Sequence, residues 1–112
     1  MSWYAFDSGK SIGQHGSESG IIVRDEEHGS GARITLERDG HSAPLAITCG
    51  IYGWMVHTRF FGTESEAQSE FEMMRAELSR IISTIPLAGD PDGDSKMAAV
   101  SESLSEFVRR FP

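Results

Sequence analysis

Between Ile21 and Phe61 apolar and polar residues alternate, and β-branched and aromatic side chains are frequent. A period of two sends successive side chains to opposite faces of a strand, so this stretch is predicted to form a sheet. Gly29-Ser30 suits a tight turn with glycine first, and such a turn pairs Val23 with Leu36 and Asp25 with Ile34. Asp39-Gly40 is a two-residue hairpin signal that pairs Leu36 with Ala43, Ile34 with Leu45 and Ala32 with Ile47. A loop of two or four residues within Gly50-Ile51-Tyr52-Gly53 pairs Cys49 with Trp54 and Ile47 with Val56. The three turns agree on one arrangement. Ile21, Val23, Ile34, Leu36, Leu45, Ile47, Cys49, Trp54, Val56 and Phe60 share an apolar face; Arg24, Glu26, Arg33, Thr35, Glu37, Thr48, His57 and Arg59 share a polar one.

Beyond residue 62 the period changes. Thr63-Glu64-Ser65-Glu66 reads as a capping box. Ala67, Phe71, Met74, Leu78, Ile81 and Ile85 then recur at steps of four and three, which predicts an amphipathic helix over 63–85, closed by Pro86. Met97, Val100, Leu104, Phe107 and Phe111 repeat the spacing and predict a second helix over 95–111, with Asp94 or Ser95 as its cap. Arg109 and Arg110 lie at its C-terminal end, where the helix dipole favours cations.

The fold class that follows is α+β: an antiparallel meander of four to five strands, one face packed by the long helix, plus the C-terminal helix. Residues 1–112 form one domain, divided into a mobile Gly/Ser-rich loop (8–20), the meander (21–61), the first helix (63–85), a turn-rich connector (86–94) and the second helix (95–111). Trp3 to Phe6 either adds a strand at an edge or covers one. Both helix stripes can be used on one sheet face. The same spacing fits a helix pair shared between two chains, so a homodimer through the helix faces is an expectation.

Composition narrows the classes of function. Ten aromatics among 112 residues, with many branched aliphatics, exclude a disordered acidic chain. A formal charge of −7 argues against nucleic acid and against anionic membranes. One cysteine, Cys49, leaves no disulfide framework and no cysteine-based zinc cluster. The opening Met1-Ser2-Trp3-Tyr4 has neither the basic start nor the apolar run of a secretory signal, so a reducing, cytoplasmic location is expected.

Few residues carry recognisable chemistry. Gly9-Lys10-Ser11 resembles the end of a phosphate loop, but Tyr4 stands where its first glycine belongs. Asp90-Pro91-Asp92-Gly93-Asp94 alternates acids as calcium loops do, yet Ser95 and Ser101 occupy the positions that require Gly and Glu. Cys49 and His57 fall on opposite faces, which speaks against a thiolate–imidazole pair. His15, His28, His41 and His57 show no metal-ligand spacing, so neither a metal nor another cofactor is expected.

What remains is the polar sheet face. Arg24, Arg33, Arg59 and His57 gather there in an otherwise acidic chain, and arginine forks suit carboxylate or phosphate. The ordinary alternative is a solvated face with Arg33 and Glu26 as a cross-strand pair. Ile51 and Tyr52, bracketed by glycines, either project as a contact point or fold over the end of the sheet. The expected function is a small non-catalytic binding or interaction protein that meets a protein partner or an anionic ligand through the arginine-bearing face. The alternative is a small enzyme with His57 as general acid or base and with Arg24 and Arg59 holding an anionic substrate.

Overall fold

The computed structural model describes residues 2–112. Five strands run in the order β1 (Trp3–Ala5), β2 (Ile21–His28), β3 (Ala32–Arg38), β4 (Leu45–Ile51) and β5 (Met55–Phe61), all neighbours antiparallel. Helices α1 (Glu64–Ile82) and α2 (Gly93–Arg110) follow. The α+β class and the meander stand as expected, and Trp3–Ala5 adds the fifth strand at the β2 edge. No helix among the described residues is long and apolar enough to cross a membrane.

All three connections differ from those expected, with unequal consequences. The β2–β3 turn holds three residues between His28 and Ala32, with Gly31 at φ +105°. That moves the pairing by one, so Arg24 faces Leu36 and Glu26 faces Ile34. A bulge at Val23 then shifts the register back, and Ile22 pairs with Glu37. The β3–β4 loop runs from Asp39 to Pro44 instead of turning on Asp39-Gly40. Leu36 consequently pairs with Ile47 and Ala32 with Ile51, an even displacement that preserves the faces. The β4–β5 loop is Tyr52-Gly53-Trp54, with Gly53 at φ +82°, a backbone setting suited to glycine. This odd change turns β5 over: Cys49 pairs with His57 and Ile47 with Arg59.

The helix-covered face therefore has apolar centres and polar ends. One row reads Arg24, Leu36, Ile47, Arg59, and the next reads Glu26, Ile34, Cys49, His57. Val56 and Phe60, expected in the core, lie on the other face, 80% and 48% exposed. Ala67, Phe71, Met74, Leu78 and Ile81 of α1 close over the centre, all fully buried. Val100, Leu104, Phe107 and Phe111 complete the same core from α2 and its C-terminal end, while Met97 of that stripe stays 48% exposed.

The helix ends follow local chemistry. Thr63 accepts from the Glu66 N–H at the start of α1, and Ser83 and Thr84 bond back to carbonyls of the last turn. Helix α1 thus ends at Ile82, before Pro86 is reached. Helix α2 begins at Gly93, earlier than expected, after a turn in which Asp90 accepts from Asp92 N–H and pairs with Lys96.

Candidate functional site

Of the four basic residues expected on one polar face, three are on the helix side. Arg24 lies over the Phe71 ring at 3.9 Å and donates to Gln68 and Glu72 of α1. Arg59 reaches the opposite flank of α1, donating to Glu70 at 2.8 Å and to the Pro112 oxygen at 3.1 Å. With strands about 4.8 Å apart, these arginines stand roughly 14 Å from each other, one on each side of the helix. His57 Nε2 is hydrogen-bonded to the Phe111 carbonyl, and its ring meets Phe107 edge-on. Glu26 pairs with Arg75 of α1, and His28 packs against Trp3, whose indole donates to Ser79. These groups hold helices to the rims of the sheet, where charge can keep contact with water while an aliphatic stem covers the core.

Cys49 sits between Ile34 and His57 in this packed layer, and burial pushes its thiol up to about 12. Arg59 acts in the opposite direction and is the weaker influence. A thiol so protonated is a poor nucleophile. Sequence reasoning separated Cys49 from His57; they share a face, with the imidazole turned to the Phe111 carbonyl.

The second sheet face has a different construction. Its rows are Glu27, Arg33, Gly50, Val56; then Asp25, Thr35, Thr48, Thr58; then Ile22, Glu37, Ala46, Phe60. Arg33 alone of the expected arginines lies here. Its guanidinium makes a two-point contact with Asp25, at 2.9 and 2.6 Å, and stacks on Phe6 at 3.5 Å. The Asp25 side chain is completely buried and also accepts from Thr35 Oγ1. The bonds to Asp25 hold Arg33 more firmly protonated than an isolated arginine.

Residues 8–20, the Gly/Ser-rich loop, cover the β2–β3 half of this face and bond to one another and to β2 along the backbone. Gly13 donates to Ile22, Ile22 to Gln14 and Gly16 to Gly20 along the backbone. The loop is seated on the Glu37 carboxylate, itself 1% exposed, which accepts from the N–H groups of Glu18 and Gly20. A Cβ on Gly16 would come within 2.3 Å of Glu37 Cδ, and one on Gly20 within 2.7 Å of the Arg38 carbonyl. Glycine is what lets the chain approach so closely. The glycines at 13, 16 and 20 were the available signal for this loop, and composition alone reads them as flexibility.

The β4–β5 half stays open as a groove of about 580 Å³. Thr35, Thr48 and Gly50 form its floor, and small residues on β4 keep that floor low. Gly16 and Ser17 bound one side and Val56 the other, while Tyr52, Gly53 and Trp54 close the end. Thr48 shares its hydroxyl with Ser17 and Thr58, at 3.4 and 3.3 Å. The pair expected either to project or to fold inward divides: Ile51 is 1% exposed in the core, whereas Tyr52 projects, 54% exposed. The Tyr52 hydroxyl donates to Glu27 Oε2 at 2.6 Å; partial burial and that bond push its pKa up to about 12. Among the described residues no group of three or more acids, histidines or cysteines is placed to hold a metal ion.

This is an α+β protein with one sheet face sealed by helices and the other partly roofed by a loop. The chain matches no protein-family profile, no curated protein and no solved structure.

Proposed function

We propose that this is a binding protein and that its contact site is the groove on the second sheet face. The groove itself carries the reading. Its volume lies within the roughly 300–1,000 Å³ range of small-molecule sites, and it combines apolar walls with few polar groups. The floor is central sheet, held by hydrogen bonds on both sides, so the site needs no rearrangement to receive a ligand. Val56 and Tyr52, both largely exposed, supply the apolar contact that binding would cover.

Arg33, Ile51 and Tyr52 line this groove, Ile51 while 1% exposed; Arg24, His57 and Arg59 lie on the helix-covered face. The catalytic alternative needed His57 free and the arginines Arg24 and Arg59 around a common substrate. Their partners lie on α1 and at the C-terminal end of α2, and no observation favours that arrangement.

A neutral polarity-sensitive dye, Nile red, tests the reading. Its fluorescence should rise on titration with the protein, and Thr48→Trp, which fills the floor, should weaken that response about tenfold. Val56→Asp alters an exposed wall residue and should weaken it with little effect on folding. An unchanged dye response in both variants would place the binding elsewhere and overturn the proposal.

A further inference from the structure

We infer that the groove selects an organic cation, a ligand with an apolar body and an ammonium or similar head; this rests on the binding reading above. The first argument is charge. The second sheet face carries Asp25, Glu27 and Glu37 against the single cation Arg33. Arg33 is neutralised by Asp25 and turned toward it, with Phe6 stacked on its plane. The Glu37 carboxylate is enclosed by the Gly16–Gly20 loop and engaged by backbone N–H groups. By formal charge three carboxylates stand against one guanidinium on these strand positions, a balance that disfavours the anionic ligand that a cluster of arginines would have suited.

The second argument is the environment of Glu27. It lies directly across from Arg33 in the strand register, yet no ion pair to Glu27 forms among the described residues. Two phenols occupy its oxygens instead: Tyr4 donates to Oε1 at 3.2 Å and Tyr52 to Oε2 at 2.6 Å. Both rings are about half exposed, at 50% and 54%. A carboxylate gripped by two aromatic hydroxyls presents a negative charge beside two half-exposed phenol rings. That combination attracts alkylammonium and similar cations, through the charge and the ring quadrupoles together.

Tyr52 joins the two parts, since it closes the end of the groove and also holds Glu27. Glu27, Arg33, Gly50 and Val56 lie in one row, so Glu27 stands about 10 Å from Gly50 across two strand spacings. A six-carbon chain with a terminal ammonium spans that length. Its head would meet Glu27 between the tyrosines, and its tail would lie over Gly50 against Val56.

Three probes of equal length separate the possibilities: n-hexylammonium, 1-hexanol and hexanoate, titrated at pH 7 into isotopically labelled full chain. The amides of Gly50 and Gly53 and the Trp54 indole report binding by their NMR shifts. Hexylammonium should bind about tenfold more tightly than hexanol, and hexanoate more weakly than either. Glu27→Gln should abolish the preference for hexylammonium over hexanol. Tyr52→Ala, a loop substitution, should reduce hexylammonium affinity severalfold and guards against a Glu27 variant that fails to fold. Equal binding of all three probes overturns the cation selectivity and leaves the groove as a binding site. Preference retained in both variants overturns the role of Glu27 and Tyr52, and shifts from none of the probes overturn the selectivity and the binding site together.

Discussion

The two faces of this sheet solve the problem of covering apolar surface in different ways. On the helix side, apolar residues occupy the middle of the two central rows and polar residues their ends, where Arg24, Arg59, Glu26 and His57 fasten α1 and α2. On the loop side, acidic charge is buried, Glu37 on the central strand β3 with Arg33, and Asp25 beside them on β2. Asp25 and Glu37 are buried in a polar layer, stabilised by Arg33, Thr35 and backbone N–H groups. The first face tolerates loss of a polar contact, because each sits at a rim within reach of water. The second cannot readily do so, because an abandoned carboxylate there has no solvent to turn to.

The largest expected effect comes from that difference. Arg33→Ala leaves the fully buried Asp25 carboxylate without its cation and should cost about 3–5 kcal/mol in urea unfolding. Arg33→Lys should recover only part of this, since an ammonium cannot reproduce the two-point contact or the stacking on Phe6. A loss below about 1 kcal/mol for the alanine variant would mean that water reaches Asp25 and that the loop side is no more enclosed than the rims.

A rim contact should cost less. Arg59→Ala removes bonds to Glu70 and to the Pro112 oxygen, with an expected loss of about 1.5–3 kcal/mol. Its effect should be local. Hydrogen exchange ought to accelerate first at Phe107 and Phe111, whose docking against β5 depends on Arg59 and His57, while the β3 amides stay protected. Uniform acceleration through the sheet would show that the rims and the centre unfold as one unit.

Why the faces were only half legible can be traced to particular residues. The centre strands β3 and β4 were read with correct faces, because the error in their connection was even. Ile34, Leu36, Leu45, Ile47 and Cys49 accordingly share the core as alternation required. The flanking strands β2 and β5 follow three-residue turns, and the odd error reverses all of β5, at the sheet edge, and β2 from Arg24 to His28, as far as the bulge at Val23. Hydrophobicity did not correct it. Arg24 and Arg59 are polar yet belong to the helix side, while Val56 and Phe60 are apolar yet lie on the open side. An edge strand borders solvent on either face, so alternation constrains it less than a central one. The groove was illegible for the same reason: it exists where β5 exposes Val56 and where Gly50 lacks a side chain, and both depend on register.

Alkaline titration probes the helix side at its middle. Burial raises the Cys49 pKa to about 12, so between pH 9 and 12 the unfolded chain loses this proton while the folded chain keeps it. The unfolded state then binds fewer protons, and stability must fall as pH rises through that window, by roughly 1 kcal/mol per unit. The raised Tyr52 pKa acts in the same direction from the other face. Cys49→Ala should flatten part of the decline, and Tyr52→Phe another part. A slope untouched by Cys49→Ala would mean that the thiol ionises in the folded protein, which a packed helix side does not permit.

The smallest effect discriminates most sharply between the two possible settings of β5. Val56 is 80% exposed beside the groove, so Val56→Asp should change stability by no more than about 0.5 kcal/mol. With β5 turned the other way, the same substitution would bury a carboxylate among Ile47, Cys49 and α1, and folding would fail or lose several kcal/mol. His57 supplies the reciprocal measurement. His57→Asp puts a second acceptor opposite the Phe111 carbonyl and should loosen the end of α2, whereas on a solvated face it would pass unnoticed. A tolerated aspartate at 56 with a disruptive one at 57 is the pattern this register requires, and the opposite pattern would return the arginines to a common polar face and remove the groove.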